Sequence, residues 1–206
     1  MYVHRYDSWF IRNEITAMNE LRLIRELIDR DIKICLDVGC GTGWFTSRLN
    51  LNCVGVDPSF NMLKITKSRN IETIQAISEK LPIRKNSIDL ILIIVTLCFV
   101  DDVEKAIQEV CKVLRNEGKL IICIIPKNSP WGMYYEKRRE TSPFYKIANF
   151  LTGDEVIELC HKHSLKLQEV KCTIKYLPHD EAKIEEPSNE CDEANFLCLK
   201  FVKQNR

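Results

Sequence analysis

Apolar and polar positions along the chain fall into two rhythms. Residues 13–30 carry Ile15, Met18, Leu21, Ile24, Leu27 and Ile28 at the spacing of one helical stripe. From residue 32 onward, short apolar runs alternate with helical segments. Strands are expected near 32–38, 53–57, 71–76, 88–96 and 118–125, and helices near 43–49, 59–69 and 102–115. The run 90–95 lacks polar alternation, which predicts a central strand buried on both faces. Asp101 or Asp102 can cap the helix that follows it. Strand–helix alternation of this kind predicts a mostly parallel sheet with right-handed crossovers.

After residue 126 the rhythm breaks. Residues 126–143 hold Trp131, Tyr134, Tyr135 and a basic run, Lys137-Arg138-Arg139. Thr152-Gly-Asp-Glu155 then reads as a capping box opening a helix to about His163. Residues 165–177 and 196–203 read as two late strands. The acidic, proline-containing stretch 179–193 between them is expected to be an exposed loop.

Chemistry concentrates at two strand ends. The first run stops at Asp37-Val-Gly39-Cys40-Gly41-Thr-Gly43, and glycine there lets the backbone turn sharply and approach a ligand closely. The second run stops at Asp57, placed to accept hydrogen bonds from two ribose hydroxyls. Asp57 follows Gly39 by eighteen residues, near the roughly 20-residue spacing of a nucleoside-binding strand–helix–strand unit. The glycine spacing is not the dinucleotide fingerprint, because Trp44 stands where a third glycine would fall, and no Walker pattern is present. Asp37 would repel a phosphate and favour a cation. S-adenosylmethionine, with a sulfonium, an ammonium and no phosphate, fits these residues better than a nicotinamide dinucleotide.

Four segments carry a resemblance. Leu36-Asp-Val-Gly-Cys-Gly-Thr-Gly-Trp-Phe45 resembles motif I of the class I S-adenosylmethionine-dependent methyltransferases, and Val54-Gly-Val-Asp-Pro-Ser59 resembles their second motif. Glu79-Lys-Leu-Pro-Ile-Arg-Lys-Asn-Ser-Ile-Asp-Leu-Ile91 and the segment 106–120 resemble two further motifs of the type 11 branch, which includes the ubiquinone/menaquinone methyltransferases. The chain is also similar to small archaeal and thermophilic-bacterial members of that branch with no assigned substrate. They share Tyr-x-x-Trp-Phe near the start and the Thr96 to Asp102 segment. The resemblance implies one α/β domain over 1–206: a Rossmann-like, seven-stranded, mostly parallel sheet with helices on both faces and a C-terminal antiparallel strand. It implies a helical cap over 1–30 and a substrate-side insertion over 127–150.

It also implies S-adenosylmethionine as cofactor and in-line methyl transfer to a small-molecule acceptor. The cofactor-binding set is Asp37, Gly39, Cys40, Gly41, Gly43, Asp57, Pro58, Ser59, Ser78, Glu79, Val95 and Thr96. Ile77 replaces an Asp that in many relatives binds the adenine amino group, and Thr96-Leu97-Cys98 stands where many carry His. No catalytic base is evident. A non-catalytic cofactor sensor or partner subunit on the same fold is the alternative reading.

Tyr6, Trp9, Phe10, Cys98, Trp131 and Tyr134 are candidates for the acceptor pocket, since aromatic walls suit a small apolar or planar ligand. The competing role for the aromatics is core or lid packing. Asp37 could instead be a loop cap, and Arg138–Arg139 a solvated face. Cys160-His161-x-His163 lies late in a helix and reads as surface rather than as metal ligands.

Composition adds limits. The chain has 206 residues, 30 basic and 29 acidic, for a net charge of +1, which gives no footprint for nucleic acid or an anionic membrane. Its longest apolar runs fall far short of the roughly 20 residues needed to span a bilayer. The opening Met-Tyr-Val-His-Arg-Tyr-Asp lacks an apolar leader, so a cytoplasmic setting is expected. Ten cysteines include no Cys-x-x-Cys pair; they are expected to be small buried hydrophobes, not zinc ligands or disulfides.

Overall fold

The apolar runs become strands in chain order. The computed structural model describes residues 2–142 and 145–205; Met1 and the expected insertion's Pro143 and Phe144 lie outside the described residues. Among the described residues, seven strands form one sheet: β1 (Cys35–Val38), β2 (Cys53–Asp57), β3 (Glu72–Gln75), β4 (Ile88–Ile94), β5 (Leu114–Ile124), β6 (Leu165–Thr173) and β7 (Phe196–Lys203). Their order is β3-β2-β1-β4-β5-β7-β6. Strands β1 to β5 pair in parallel, and β7 runs antiparallel between β5 and β6. All of β4 is buried, as its unbroken apolar run predicts.

Six helices flank the sheet among the described residues: α1 (Tyr2–Arg12), α2 (Glu14–Leu27), α3 (Phe60–Ser68), α4 (Val103–Val113), α5 (Pro130–Lys137) and α6 (Gly153–Lys162). Alternate side chains of β4 serve opposite cores. Ile91 and Ile93 pack with Ile107 and Val110 of α4 and Val156 of α6. Leu90 and Leu92 pack with Phe10 of α1 and Ala17, Leu21, Ile24 and Leu27 of α2. Local signals set the helix starts. Asp102 and Ser59 accept from backbone N–H groups of α4 and α3, and Thr152 and Glu155 form both halves of a capping box on α6.

The structure corrects three expectations. The helix expected over 43–49 is a single 3₁₀ turn, Thr46–Arg48. Gly43 before it and Asn50 after it both have positive φ, leaving too few residues for an α-helix. The stripe of α2 is also rotated. Ile15 and Met18 are exposed, while Thr16, Asn19 and Glu20 are buried. Two of those polar groups are bonded inward: Thr16 Oγ1 lies 2.7 Å from Tyr176 Oη, and Asn19 donates to Lys183 O and accepts from Glu185 N.

The stretch 179–193 is the expected loop, with none of its residues buried, and it is pinned at several points. Besides Asn19, Arg22 donates to Glu185 O, and Cys172 of β6 pairs with Ser188 as an isolated bridge. The third correction concerns cysteine. Disulfides join Cys35–Cys53, Cys123–Cys198 and Cys172–Cys191. The first two pairs sit directly opposite each other in the β1–β2 and β5–β7 registers. Partners 18 and 75 residues apart leave no local spacing motif to read. Cys40, Cys98 and Cys160 remain buried thiols.

Candidate functional site

The carboxyl ends of β1, β2 and β4 carry the glycine loop, Asp57 and Val95–Thr96. Gly39, Gly41 and Gly43 all have positive φ. Space enforces glycine at 39: a Cβ there would lie 2.1 Å from Thr96 Cγ2, so β1 and β4 tips could not stay packed. Thr96 Oγ1 donates toward Gly39 O and Ile94 O, tying the two tips together. Val95 itself has φ 48, an unusual conformation for a β-branched residue.

Two acids stand at these tips. Asp57 accepts from Gly41 N at 3.0 Å and from Ser59 N at 2.8 Å, so its carboxylate is oriented by backbone and keeps lone pairs for a ligand. Burial raises its pKa, opposed by those two N–H groups. Asp37 is 2% exposed. Its Oδ2 accepts from Thr46 Oγ1, and its Oδ1 has no hydrogen-bond partner. Burial raises the Asp37 pKa to about 6, with Thr46 pulling it down and Asp57 adding to the rise. An unpartnered, buried carboxylate oxygen beside a second acid suits a cation. Burial, with Asp37 and Asp57 nearby, drives the Cys40 thiol far up, so it is no nucleophile at neutral pH.

The β3–β4 connection supplies Ser78, whose hydroxyl donates to Glu79 Oε2 at 2.9 Å. Glu79 Oε1 accepts from Asp102 N, linking this loop to the start of α4. Ile77 is half exposed beside them. Pro58 O is held by the Gln75 side chain.

Helix α1 closes over the glycine loop. The Tyr6 ring lies 3.2 Å from where a Gly41 Cβ would stand. Its hydroxyl is pushed far up by burial and by Asp37, Asp57 and Glu20. Phe10 stacks on Trp44 at 4.6 Å between centroids. Asp7 pairs with Arg69 at 2.9 Å, and Arg69 also donates to Thr42 O in the glycine loop. Side chains of α1 therefore hold both the loop and the end of α3.

Beyond Tyr6 opens a cavity of about 540 Å³. It runs from Ile94 and Val95 at the β4 tip, past α1 and α2, to α5 and the chain around Tyr145 and Phe150. Tyr6, Trp9, Phe10, Trp131 and Tyr134 line it; Cys98 does not, and packs behind it with Tyr135, Ala148 and Phe150. The aromatic wall is continuous. Trp131 meets Tyr135 edge-on at 5.8 Å and Tyr135 stacks on Tyr145 at 4.4 Å. Trp131 is fixed by its indole N–H donating to Tyr176 O and its backbone N–H donating to Asn195 Oδ1. The glycine loop and Asp57 do not line this cavity. Of its lining residues, Tyr6 lies against Gly41, and Phe45 and Val95 adjoin the glycine loop and Thr96 in the chain.

Glu20 was missed by the sequence reading. It lies on the cavity wall, 6% exposed, on the apolar side of α2 with Ala17, Ile24 and Leu27. A charged residue three after Ala17 and four before Ile24 was the available signal.

Comparison with known proteins agrees with this arrangement. A family model described as "Methyltransferase domain" matches residues 36–122. An uncharacterised protein of Methanocaldococcus jannaschii is 39% identical over 165 residues, covering 80% of this chain and 79% of its own length. A ubiquinone/menaquinone biosynthesis C-methyltransferase of Campylobacter jejuni is 32% identical over 54% of this chain and 52% of its own. A crystal structure from Thermotoga maritima, named a SAM-dependent methyltransferase, possible histamine N-methyltransferase, superimposes with a TM-score of 0.93. It is 31% identical over 98% of this chain and 97% of that one. The chain belongs to the S-adenosylmethionine-dependent methyltransferases and takes S-adenosylmethionine as its cofactor.

Proposed function

We propose that this enzyme transfers the methyl group to a small-molecule acceptor held in the aromatic cavity. The observation that carries this reading is the position of the cavity: it meets the β4 tip at Val95, next to the β1 tip that bears Asp37, with the β2 tip and Asp57 one strand farther. When bound, the cofactor supplies an electrophilic methyl on a sulfonium, already a good leaving group. The chain then has to position and exclude water. Asp57 orients toward the ribose, with Pro58 and Ser59 flanking it. Gly39, Cys40, Gly41 and Gly43 give close backbone approach, and the free Oδ1 of Asp37 receives the ammonium. Ser78 and Glu79 border the adenine, while Val95 and Thr96 face the reacting end.

Acceptor contacts fall to Tyr6, Trp9, Phe10, Trp131 and Tyr134. Cys98 is set aside, because its thiol faces Val95 O and burial pushes its pKa up to about 12. A cavity of this volume, mostly apolar with few polar groups, is of the size that encloses a metabolite. The name of the Thermotoga maritima protein makes nitrogen acceptors the first class to try.

The test is transfer of labelled methyl from S-adenosylmethionine into an extracted metabolite pool, followed by identification of the product. A labelled small molecule is expected, and Trp131→Ala should cut its formation at least tenfold while cofactor affinity stays within about twofold. Label found only on protein or nucleic acid would overturn the reading.

A further inference from the structure

Among the residues that line the cavity described above, one carries a carboxyl group, Glu20, and it is buried. Glu20 forms no hydrogen bond or ion pair with any described residue, although it is 6% exposed. A buried carboxylate normally acquires a partner, because taking a charge out of water is costly. Here the groups around it are the rings of Tyr6 and Tyr135 and the phenol of Tyr176, none of which carries positive charge. Trp9, Phe45, Trp131 and Tyr134 complete the wall. The basic residues that line the cavity, Arg5, Arg12 and Arg138, are exposed. Arg138 is engaged with Tyr134, donating to its hydroxyl and lying 5.0 Å over its ring.

A buried acid surrounded by aromatic faces has one natural complement, an organic cation. The carboxylate supplies the counter-charge, and the rings supply negative π faces and apolar cover. A neutral acceptor would leave Glu20 unpaired. An anionic one would meet repulsion at the floor.

We propose that the acceptor is an organic cation of the amine class and that Glu20 is the residue binding its ammonium or amidinium-type nitrogen. The assignment rests on the cavity's being the acceptor site. Desolvation alone raises the Glu20 pKa to about 8, so the empty cavity favours a protonated carboxyl and an entering cation converts it to the carboxylate. Glu20 is thus a binding residue whose charge is completed by its ligand.

The experiment is calorimetry on the whole protein saturated with S-adenosylhomocysteine, with three probes of one shape: 2-phenylethylamine, 2-phenylethanol and phenylacetate. The amine is expected to bind at least tenfold tighter than the alcohol and far tighter than the acid. In Glu20→Gln that preference should fall at least tenfold, with affinity for S-adenosylhomocysteine unchanged. Equal binding of the three probes, binding of none, or a preference that survives in Glu20→Gln overturns the proposal. So does a Glu20→Gln protein that loses affinity for S-adenosylmethionine but not for the amine, since Glu20 would then serve the cofactor's own ammonium. Glu20→Asp, which keeps the charge, should retain most of the amine preference. Failure of the methyl-transfer reading is separate: the protein would prefer the amine, yet no labelled methyl would reach a small molecule.

Discussion

Two buried carboxylates behave differently because their surroundings differ. Asp57 is oriented by Gly41 N and Ser59 N, whereas Glu20 has no hydrogen-bond or ion-pair partner among the described residues. Replacing Asp57 with Ala should weaken S-adenosylmethionine binding by roughly 2–4 kcal/mol, because charged hydrogen bonds to the ribose are lost. Titration calorimetry checks this, and unchanged affinity would place the ribose elsewhere. Glu20 makes a prediction for stability. Its folded pKa, about 8, lies above its ordinary value of 4.5, so the folded protein holds that proton more tightly. Its contribution is therefore fully present below pH 4.5 and is lost as pH rises toward 8. Glu20→Gln, which cannot ionise, should be the more stable protein at pH 8 by about 1–3 kcal/mol in the absence of ligand. The gap should narrow by pH 5 in paired thermal melts.

At the scale of elements, the strand tips and the turn chemistry were readable from sequence. The glycine loop, Asp57 and the Thr152 capping box are all local patterns, and each appears where its pattern stands. Non-local features were not readable. Nothing near Cys123 marks Cys198, and nothing in the stripe of Ile15 and Met18 shows that α2 would turn Thr16 and Asn19 inward. Those residues follow their partners Tyr176 and Lys183, more than 150 positions away in the chain. Helix α1 illustrates the same point, since Asp7 gains its role only through Arg69. Arg69→Ala removes that pair and the bond to Thr42 O, and leaves the half-buried Asp7 without its ion-pair partner. Amide exchange of α1 should speed up by one to two orders of magnitude, an opening cost lower by about 1–3 kcal/mol, while α4 keeps its protection.

For the whole molecule, two cross-links bind the sheet to itself and a third ties β6 to the loop before β7, among the described residues. Disulfides are rare in most cytosols but are retained inside some hyperthermophiles, so the expected cytoplasmic setting and these pairs are compatible only in a restricted set of cells. The Cys123–Cys198 link closes the longest loop, 75 residues, and should contribute about 2–4 kcal/mol. The protein with Cys123→Ala and Cys198→Ala should melt several degrees lower than the parent under oxidising conditions and no lower under full reduction. Among the described residues no helix is long and apolar enough to cross a membrane.

Strand order carries a last consequence, for how the chain is born. Strand β7 emerges from synthesis after β6 yet belongs between β6 and β5. Until it arrives, the edge formed by Ile121, Ile122, Cys123 and Ile124 has nothing to cover it, and β6 has no neighbour to pair with. A ribosome that stalls before Phe196 therefore leaves a sticky apolar rim. The nascent polypeptide cannot close this side of its sheet until β7 has emerged.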